Sequence, residues 1–186
     1  MQTEWIVIVV LVVIAIYAIV VFNRLIRGRN LVREGWSGID VQLRRRSDLI
    51  PNLVEIVKGY AAHERTLFED IAAKRTSAMA ADGVPQKAAA EHALQGSLGR
   101  LFAVAEAYPD LKANQNFLEL QNQMAELEDQ LQMARRYYNG TVRDFNIGIQ
   151  SFPDVVIARA FGFHEEHFFQ IDTASAASPT VNFSGA

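Results

Sequence analysis

An uninterrupted apolar run near the start of the chain restricts its fold more than any other feature. From Trp5 to Phe22 the sequence contains eighteen residues without a charge, a proline or a glycine. As an α-helix this run is about 27 Å long, close to the hydrocarbon thickness of a bilayer. A helix buried in a protein core is usually shorter or has a polar face, and this run has none. The run therefore predicts a transmembrane helix at residues 5–22, preceded by a short tail at residues 1–4.

A cleaved signal peptide is the alternative explanation for an apolar run at this position. Signal peptides carry basic residues before the run and a small-x-small cleavage site after it. Here the order is reversed, because Glu4 precedes the run and four arginines follow it at Arg24, Arg27, Arg29 and Arg33. Since positive charge stays preferentially on the cytoplasmic side, this flank predicts an uncleaved, single-pass anchor of the inner membrane with the remainder of the chain in the cytoplasm. A periplasmic domain is the alternative orientation.

The charges outside the apolar run are unevenly distributed. Residues 23–46 contain seven arginines and two acidic residues, whereas residues 47–186 contain eleven basic and eighteen acidic residues. A basic collar followed by an acidic body suits anionic lipid headgroups and argues against nucleic acid as a partner, which requires a basic face on the domain. The chain contains no cysteine, which excludes disulfides, thiol catalysis and cysteine-based zinc sites.

The helical pattern continues beyond the apolar run. No proline occurs between residues 5 and 46, and apolar residues recur at spacings of three and four, so we expect one helix that leaves the membrane and continues to Arg46. The arginines at positions 44–46 suit a helix C-terminus, where cations complement the macrodipole, and an anion-binding site is the alternative. Asp48 is then expected to cap a second helix that carries Pro51 in its first turn and ends near Ala80.

Two further amphipathic helices follow, the third at residues 86–108 and the fourth, which Asp110 would cap, at residues 113–150. The charges of the fourth helix, Glu128 among them, fall outside an apolar seam that is long enough to require partner helices. Four helices joined by short turns predict an all-α fold in which the transmembrane helix continues into the first helix of an antiparallel four-helix bundle at residues 23–150. The expected bundle core comprises Trp36, Ile39, Leu53, Tyr60, Leu98, Leu120, Leu127, Leu131, Tyr138 and Phe145.

Phenylalanine is concentrated after the fourth helix. Residues 151–171 contain a candidate interaction surface composed of Phe152, Phe161, Phe163, Phe168 and Phe169. A fourth helix that returns toward the membrane would make this Phe-rich segment membrane-proximal. We expect it to contact the anchor helix or a neighbouring subunit rather than the bilayer, because anionic headgroups repel the acidic residues at 165, 166 and 172. Residues 172–186 are small and polar, which predicts a flexible tail.

Three stretches of the chain resemble the LemA family. They are residues 17–64, especially NRLIRGRNLVREGWSGIDVQLRRRSDLIPNLVEIVKGYAAHE, then RRYYNGTVRDFN at residues 135–146, and the FP…FGF pattern between residues 152 and 163. The resemblance extends over nearly the whole chain with the order of the motifs preserved. It implies a single-pass bacterial membrane protein with a four-helix bundle, but no reaction, because catalytic residues do not define the family. Some members are associated with magnetosome membranes and others with a membrane zinc metalloprotease of the stress response.

Histidine is the residue type that most needs to be tested for catalysis or metal binding. A di-iron site in a helical bundle uses Glu-x-x-His, and no acidic residue lies three positions before His63, His92, His164 or His167. His164 and His167 would share one face of a helix and could hold a metal ion, but they do not form the His-Glu-x-x-His motif, and surface or packing roles are more common for such a pair. We therefore expect a protein without catalytic activity, without a cofactor and without a bound metal.

These features together predict a membrane-anchored helical scaffold or adaptor. Its expected partners are the lipid bilayer and further copies of the same chain. One alternative is an accessory or regulatory subunit of a membrane protease or transporter in envelope stress, which would require that membrane protein as its partner. The other alternative is a metal-dependent enzyme that uses His164 and His167. A scaffold is expected to assemble alone, whereas an accessory subunit is expected to assemble only with its partner.

Overall fold

The computed structural model describes residues 2–170, and these form six helices without a strand. The helices are α1 at Gln2–Tyr60, α2 at Arg65–Ala80, α3 at Val84–Glu106, α4 at Pro109–Lys112, α5 at Gln115–Gln150 and α6 at Asp154–Ala160. The all-α prediction is confirmed, and the third predicted helix is present as α3. The tail predicted at residues 172–186 lies outside the described residues.

Helix α1 is 59 residues long and contains both the apolar run and the arginine-rich stretch that follows it. The predicted continuity between these two stretches is confirmed, but the predicted break after Arg46 is wrong. Pro51 lies inside α1, where a proline costs about 3 kcal/mol of helix stability. Ile50, Leu53 and Val57 are almost fully buried on the same stretch of α1. Their burial offsets the cost of the proline, because each such side chain contributes about 1.5–3 kcal/mol.

The chain forms two compact units, and both long helices contribute to each of them. The first unit comprises the chain up to Leu49 together with Leu120–Phe168. The second unit comprises Ile50–Glu119 together with residues 169–170.

The first unit is built on α1 and α5, which run antiparallel. Gly28 on α1 lies against Phe145 on α5, and Arg46, later in α1, bonds Glu128, which is earlier in α5. A step forward along α1 therefore corresponds to a step backward along α5. This register brings the end of α5 to the level of the residues that follow the apolar run.

The buried seam of the first unit keeps a seven-residue spacing on both helices, which is typical of helices that cross at a shallow angle. Its members are Leu25, Val32 and Ile39 on α1 and Leu131, Tyr138 and Phe145 on α5. Trp36 is half-buried, and its ring centroid lies 5.7 Å from that of Tyr138. Leu120 and Leu127 on α5 are also half-buried.

The second unit contains α2 and α3, which also run antiparallel. Lys74 Nζ on α2 donates a hydrogen bond of 2.7 Å to Ser97 Oγ on α3, and Lys87 Nζ donates one of 2.8 Å to the carbonyl of Ala78. The turn between the helices contains Gly83 at a φ of 79°, which is a left-handed conformation that favours glycine. The buried side chains of this unit include Leu53, Val57, Leu67, Ile71, Leu94, Leu98 and Leu101.

Asn114, and not the predicted Asp110, caps α5. Asn114 Oδ1 accepts hydrogen bonds from the backbone N–H groups of Asn116 and Phe117 at 2.9 and 3.2 Å. Asp110 lies instead in the first turn of the short helix α4. Tyr60, which was expected in the core, is 41% exposed because it is the last residue of α1. Its hydroxyl accepts a hydrogen bond of 3.1 Å from Asn114 Nδ2.

A side chain at Gly35 would collide with α5, since an added Cβ would lie 3.1 Å from the Cα atom of Tyr138. Because the obstacle is backbone, we expect Gly35→Val to lower the free energy of unfolding by about 1–3 kcal/mol. Gly38 is the matched control on the same helix, because an added Cβ there meets no atom of the described residues within 4 Å. Gly38→Val should change stability by no more than about 0.5 kcal/mol. Denaturant unfolding of the full chain in mild detergent measures both values, and equal losses would contradict the packing of α1 on α5.

Candidate functional site

The described part of the Phe-rich segment lies against α1 at the end of the apolar run. The rings of Phe161 and Phe163 contact Phe22, with centroid separations of 4.9 and 5.9 Å. Phe163 is buried, and the Arg29 guanidinium carbon lies 5.2 Å from its ring centroid, which is within cation–π range. Contact with the anchor helix, one of the two contacts expected for this segment, is therefore observed.

Asp154 attaches α6 to α1. The Tyr17 hydroxyl donates a hydrogen bond of 2.8 Å to Asp154 Oδ1, and Arg24 Nη2 forms an ion pair with Asp154 Oδ2. Asp154 is 5% exposed, so these two partners compensate a carboxylate that is removed from water. Asp154 is not among the functional residues predicted from the sequence. Its only signal in the sequence is an acidic residue that follows a proline at the start of a short apolar helix.

Residues 163–170 have no helical structure, and residues 165–167 lie along α5. The Asn146 side chain holds Glu166, because its Oδ1 accepts a hydrogen bond from the Glu166 N–H and its Nδ2 donates one to the Glu166 carbonyl, both at 2.9 Å. Further along, the Tyr138 hydroxyl donates a hydrogen bond of 2.7 Å to the carbonyl of His167. His164 and His167 therefore do not share a helical face, and no group of three or more potential metal ligands occurs within residues 2–170.

Only part of the predicted interaction surface is accessible. Phe152 and Phe161 are 84% and 60% exposed, and Phe168 is 40% exposed. Phe163 and Phe169 are buried, so these two side chains belong to the packing and cannot form an outer surface. Val156 on α6, which the sequence analysis did not select, is 58% exposed and extends the accessible apolar surface.

The four arginines that follow the apolar run have different environments. Arg24 binds Asp154, and Arg29 is half-buried beside Phe163. Arg27 and Arg33 are exposed. Next to Arg24, a groove of about 420 Å³ opens between α1, α5 and α6. Its lining combines apolar groups with charged ones and comprises Arg24, Leu25, Gly28, Leu31, Thr141, Asp144, Phe145, Ile147, Gly148, Ser151 and Asp154.

Arg46 is buried within the first unit, with 2% of its surface exposed. Its Nη1 donates a hydrogen bond of 3.0 Å to Glu128 Oε2, and Arg135 Nη1 lies 3.7 Å from the other oxygen of the same carboxylate. The macrodipole explanation of the arginine triplet is wrong, because α1 does not end there. The anion that Arg46 binds is a side chain of α5, and Glu128 does not belong to a purely solvated face.

A separate polar cluster joins α2 to α3 in the second unit. Asp70 accepts hydrogen bonds from Ser97 Oγ at 2.6 Å and Lys74 Nζ at 3.0 Å, and it forms an ion pair with Arg100. These partners, the Ser97 hydrogen bond foremost, hold the pKa of Asp70 below its usual value. Through Ser97 and Arg100 the cluster connects α3 to Asp70 on α2.

The sequence model of the LemA family matches residues 35–183. The chain belongs to the LemA family. This LemA-family chain is 28% identical over 160 residues to the magnetosome proteins MamQ 1 and MamQ 2 of Paramagnetospirillum magneticum, with 72% of the chain and 59% of each relative covered. It is 26% identical over 153 residues to protein LemA of Metamycoplasma hominis, with 80% of the chain and 68% of that protein covered. The chain thus spans about three-fifths of the length of the MamQ relatives.

Removal of the Glu128 carboxylate should destabilise this LemA-family protein. We expect Glu128→Ala to lower the free energy of unfolding by about 1–3 kcal/mol, because the Arg46 guanidinium remains buried after it loses this acceptor. Glu128→Gln keeps an acceptor oxygen and should lose less. Asp129 is the matched control, since it is an exposed neighbour on the same helix, and Asp129→Ala should stay within about 0.5 kcal/mol. Denaturant unfolding in mild detergent gives these values, and a Glu128→Ala loss as small as that of Asp129→Ala would contradict the buried pair.

The stability of the first unit should fall at high pH through Tyr138. Burial and the negative charge of Glu166 raise the pKa of Tyr138 to about 12. A tyrosine in the unfolded chain ionises near pH 10, so the unfolded state loses its proton first. The contribution of Tyr138 is therefore present below about pH 10 and is lost as the pH rises from about 10 to about 12.

The comparison of Tyr138→Phe with the unsubstituted chain tests this pH dependence. We expect Tyr138→Phe to remove part of the decline in the free energy of unfolding above about pH 10, because phenylalanine has no proton to lose. Tyr137 is 49% exposed and provides the neighbouring control, Tyr137→Phe, which should retain the decline caused by Tyr138. An unchanged slope in Tyr138→Phe would mean that the hydroxyl is not held in its neutral form by the fold.

Proposed function

We propose that this LemA-family protein is a membrane-anchored helical scaffold or adaptor of the bacterial inner membrane, that it self-assembles, and that it has no catalytic activity. Among residues 2–170, α1 is the one helix that is long and apolar enough to cross a membrane. The observation that carries the proposal is the exposure of its apolar run, in which each large side chain from Trp5 to Ile14 is at least 50% exposed. A helix that is apolar on all sides and is not covered by protein requires a lipid environment.

The proposed topology is a single pass with residues 23–186 in the cytoplasm. Arg27 and Arg33 are exposed on α1 just beyond the apolar run, where positive charge favours the cytoplasmic side. Anionic headgroups on that side would also attract these side chains. A periplasmic position of residues 23–186 is the alternative topology, and the scaffold role is the same in both.

We also propose that the long helices α1, α2, α3 and α5 constitute an antiparallel four-helix bundle. Two observations support it, each made inside one compact unit. The first is the antiparallel pairing of α1 with α5, and the second is the antiparallel pairing of α2 with α3. The seven-residue spacing of the buried seam on α1 and α5 is the spacing that such bundles use.

Outside the apolar run, the first unit has exposed apolar side chains, and these suit binding to another protein. Leu31, Val41, Met133, Tyr137 and Ile147 are between 40% and 54% exposed. Met133 and Tyr137 are neighbours one turn apart on α5, and we propose that further copies of the same chain cover them. The alternative partner is a membrane protease or transporter, which this protein would then regulate as an accessory subunit. The names of its relatives are magnetosome protein MamQ and protein LemA.

The mass of the purified full chain in mild detergent tests the proposal. A scaffold that self-assembles should elute, after the detergent mass is subtracted, at a multiple of the chain mass of 20.8 kDa without any other protein. An accessory subunit should elute at the mass of one chain and form a larger particle only with its co-extracted partner. The double variant Met133→Ser and Tyr137→Ser should shift the mass toward one chain, whereas Met79→Ser, at a comparably exposed position on α2, should leave it unchanged. A single-chain mass for the unsubstituted protein would overturn the self-assembly.

A further inference from the structure

We propose that α6 and the turn before it form a second membrane contact, in which Phe152, Val156 and Phe161 enter the lipid headgroup region beside the anchor helix. This inference rests on the proposed transmembrane run of α1. It adds a lipid-binding role for a short helix that is distant from that run in sequence. The partner is the bilayer surface itself.

The depth of α6 follows from its contacts with α1. Asp154, its first residue, is bound by Tyr17 and by Arg24, and Phe161, just after its last residue, lies 4.9 Å from Phe22 between ring centroids. All three contacts on α1 fall in the last turns of the apolar run or immediately after it. Since that run crosses the hydrocarbon, its end marks the headgroup boundary, and α6 must lie at the same level. Interfacial helices bury their apolar face about 5–10 Å into this region, which is comparable to one or two turns of α1.

The side chains of α6 have the distribution of an interfacial helix. Asp154 is buried and ion-paired, so its charge is already compensated. Phe152, Val156 and Phe161 are 84%, 58% and 60% exposed, which would be unfavourable in water for three large apolar groups at one end of the unit. Arg159 is the exposed basic residue of α6, and its guanidinium suits the phosphates of the headgroups.

The acidic residues after α6 lie along α5, which limits their repulsion by the headgroups. Glu165 accepts a hydrogen bond of 2.8 Å from Gln150, Glu166 is held by Asn146, and His167 is held by Tyr138. These partners lie progressively earlier in α5, and α5 runs antiparallel to α1. The segment therefore leads away from the apolar run as it proceeds, so the repulsion expected between its carboxylates and the headgroups decreases along it.

A bilayer fits the exposed surface better than a second copy of the chain. A stable protein interface buries about 800 Å² on each partner, and three side chains at the end of one short helix provide much less. Lipid requires no matching surface, and the level of the three side chains already coincides with the headgroup region. The bilayer is therefore the partner that we propose for Phe152, Val156 and Phe161.

Site-specific fluorescence of the full chain in vesicles tests the inference, and the absence of native cysteine makes single labels straightforward. Single cysteines replace Phe152, Val156, Met133 or Ile14 and carry an environment-sensitive fluorophore, in vesicles of phosphatidylcholine and phosphatidylglycerol with or without spin-labelled lipid. Ile14, which is 57% exposed, reports the anchor, and Met133, which is 54% exposed on α5, is the matched apolar control. We expect spin-labelled lipid to quench labels at positions 152, 156 and 14 and to leave the label at 133 unquenched, and we expect aqueous iodide to leave the labels at 152, 156 and 14 unquenched.

The remaining outcomes each contradict a specific statement. Labels at 152 and 156 that iodide quenches and lipid does not would place α6 in water and overturn the inference. Labels that neither agent quenches would indicate cover by protein, also overturning it. If spin-labelled lipid does not quench the label at position 14, the proposed transmembrane anchor is wrong. If it quenches the label at position 14 but not the labels at positions 152 and 156, only the second membrane contact is wrong.

A charge substitution tests whether the protein, and not the attached fluorophore, drives the insertion of α6 into the bilayer. With the label at position 156, Phe152→Asp should reduce lipid quenching, because a carboxylate at the headgroup level is repelled by phosphatidylglycerol. Met79→Asp, at a position that is 57% exposed on α2, is the control and should leave that quenching unchanged. Lipid quenching at position 156 that is insensitive to Phe152→Asp would overturn the inference.

Discussion

The antiparallel packing of α1 against α5 is the interaction on which the rest of the first unit depends. Gly28 and Gly35 allow the helices to approach, because an added Cβ would lie only 3.2 Å from the Phe145 ring or 3.1 Å from the Cα atom of Tyr138, closer than an ordinary van der Waals contact. The register that results brings the end of α5 back to the apolar run, so α6 meets α1 there. A shift of one turn would separate Arg46 from Glu128 and leave charges in a poorly solvated interface.

The continuity of α1 connects the packing of α1 on α5 to the apolar run. One helix contains the apolar run and one side of the first unit, so the position of the run in a bilayer also sets the position of the unit. A helix that continues without a break from the apolar run into the first unit resists bending, because each residue is held by backbone hydrogen bonds to neighbouring turns. The proposed scaffold would benefit from such a connection, since its proposed binding surface would be kept at a constant distance from the membrane. The contacts of Asp154 with Tyr17 and Arg24 attach α6 at the same level.

Local sequence signals give wrong predictions at positions where packing between distant residues opposes them. Ser47, Asp48 and Pro51 form a plausible start for a new helix, yet α1 continues through them because Ile50 and Leu53 are buried on the same stretch. The arginine triplet resembled a helix end, yet Arg46 is buried and bonds Glu128, 82 positions later in the chain. In both cases the local preference amounts to a few kcal/mol at most, and the burial of neighbouring side chains outweighs it.

The sequence by itself determined the features that depend on spacing along the chain. These are the apolar run, the helical periodicity, the approximate limits of α3 and α5, and membership of the LemA family. The tertiary structure decided which polar groups meet, as in the contact between Tyr17 and Asp154, 137 positions apart, and which phenylalanines are buried. The physical reason is that periodicity arises from neighbouring residues on one helix, whereas ion pairs, caps and buried rings depend on the register between helices. Many registers satisfy the same apolar pattern, and only the packed structure selects one of them.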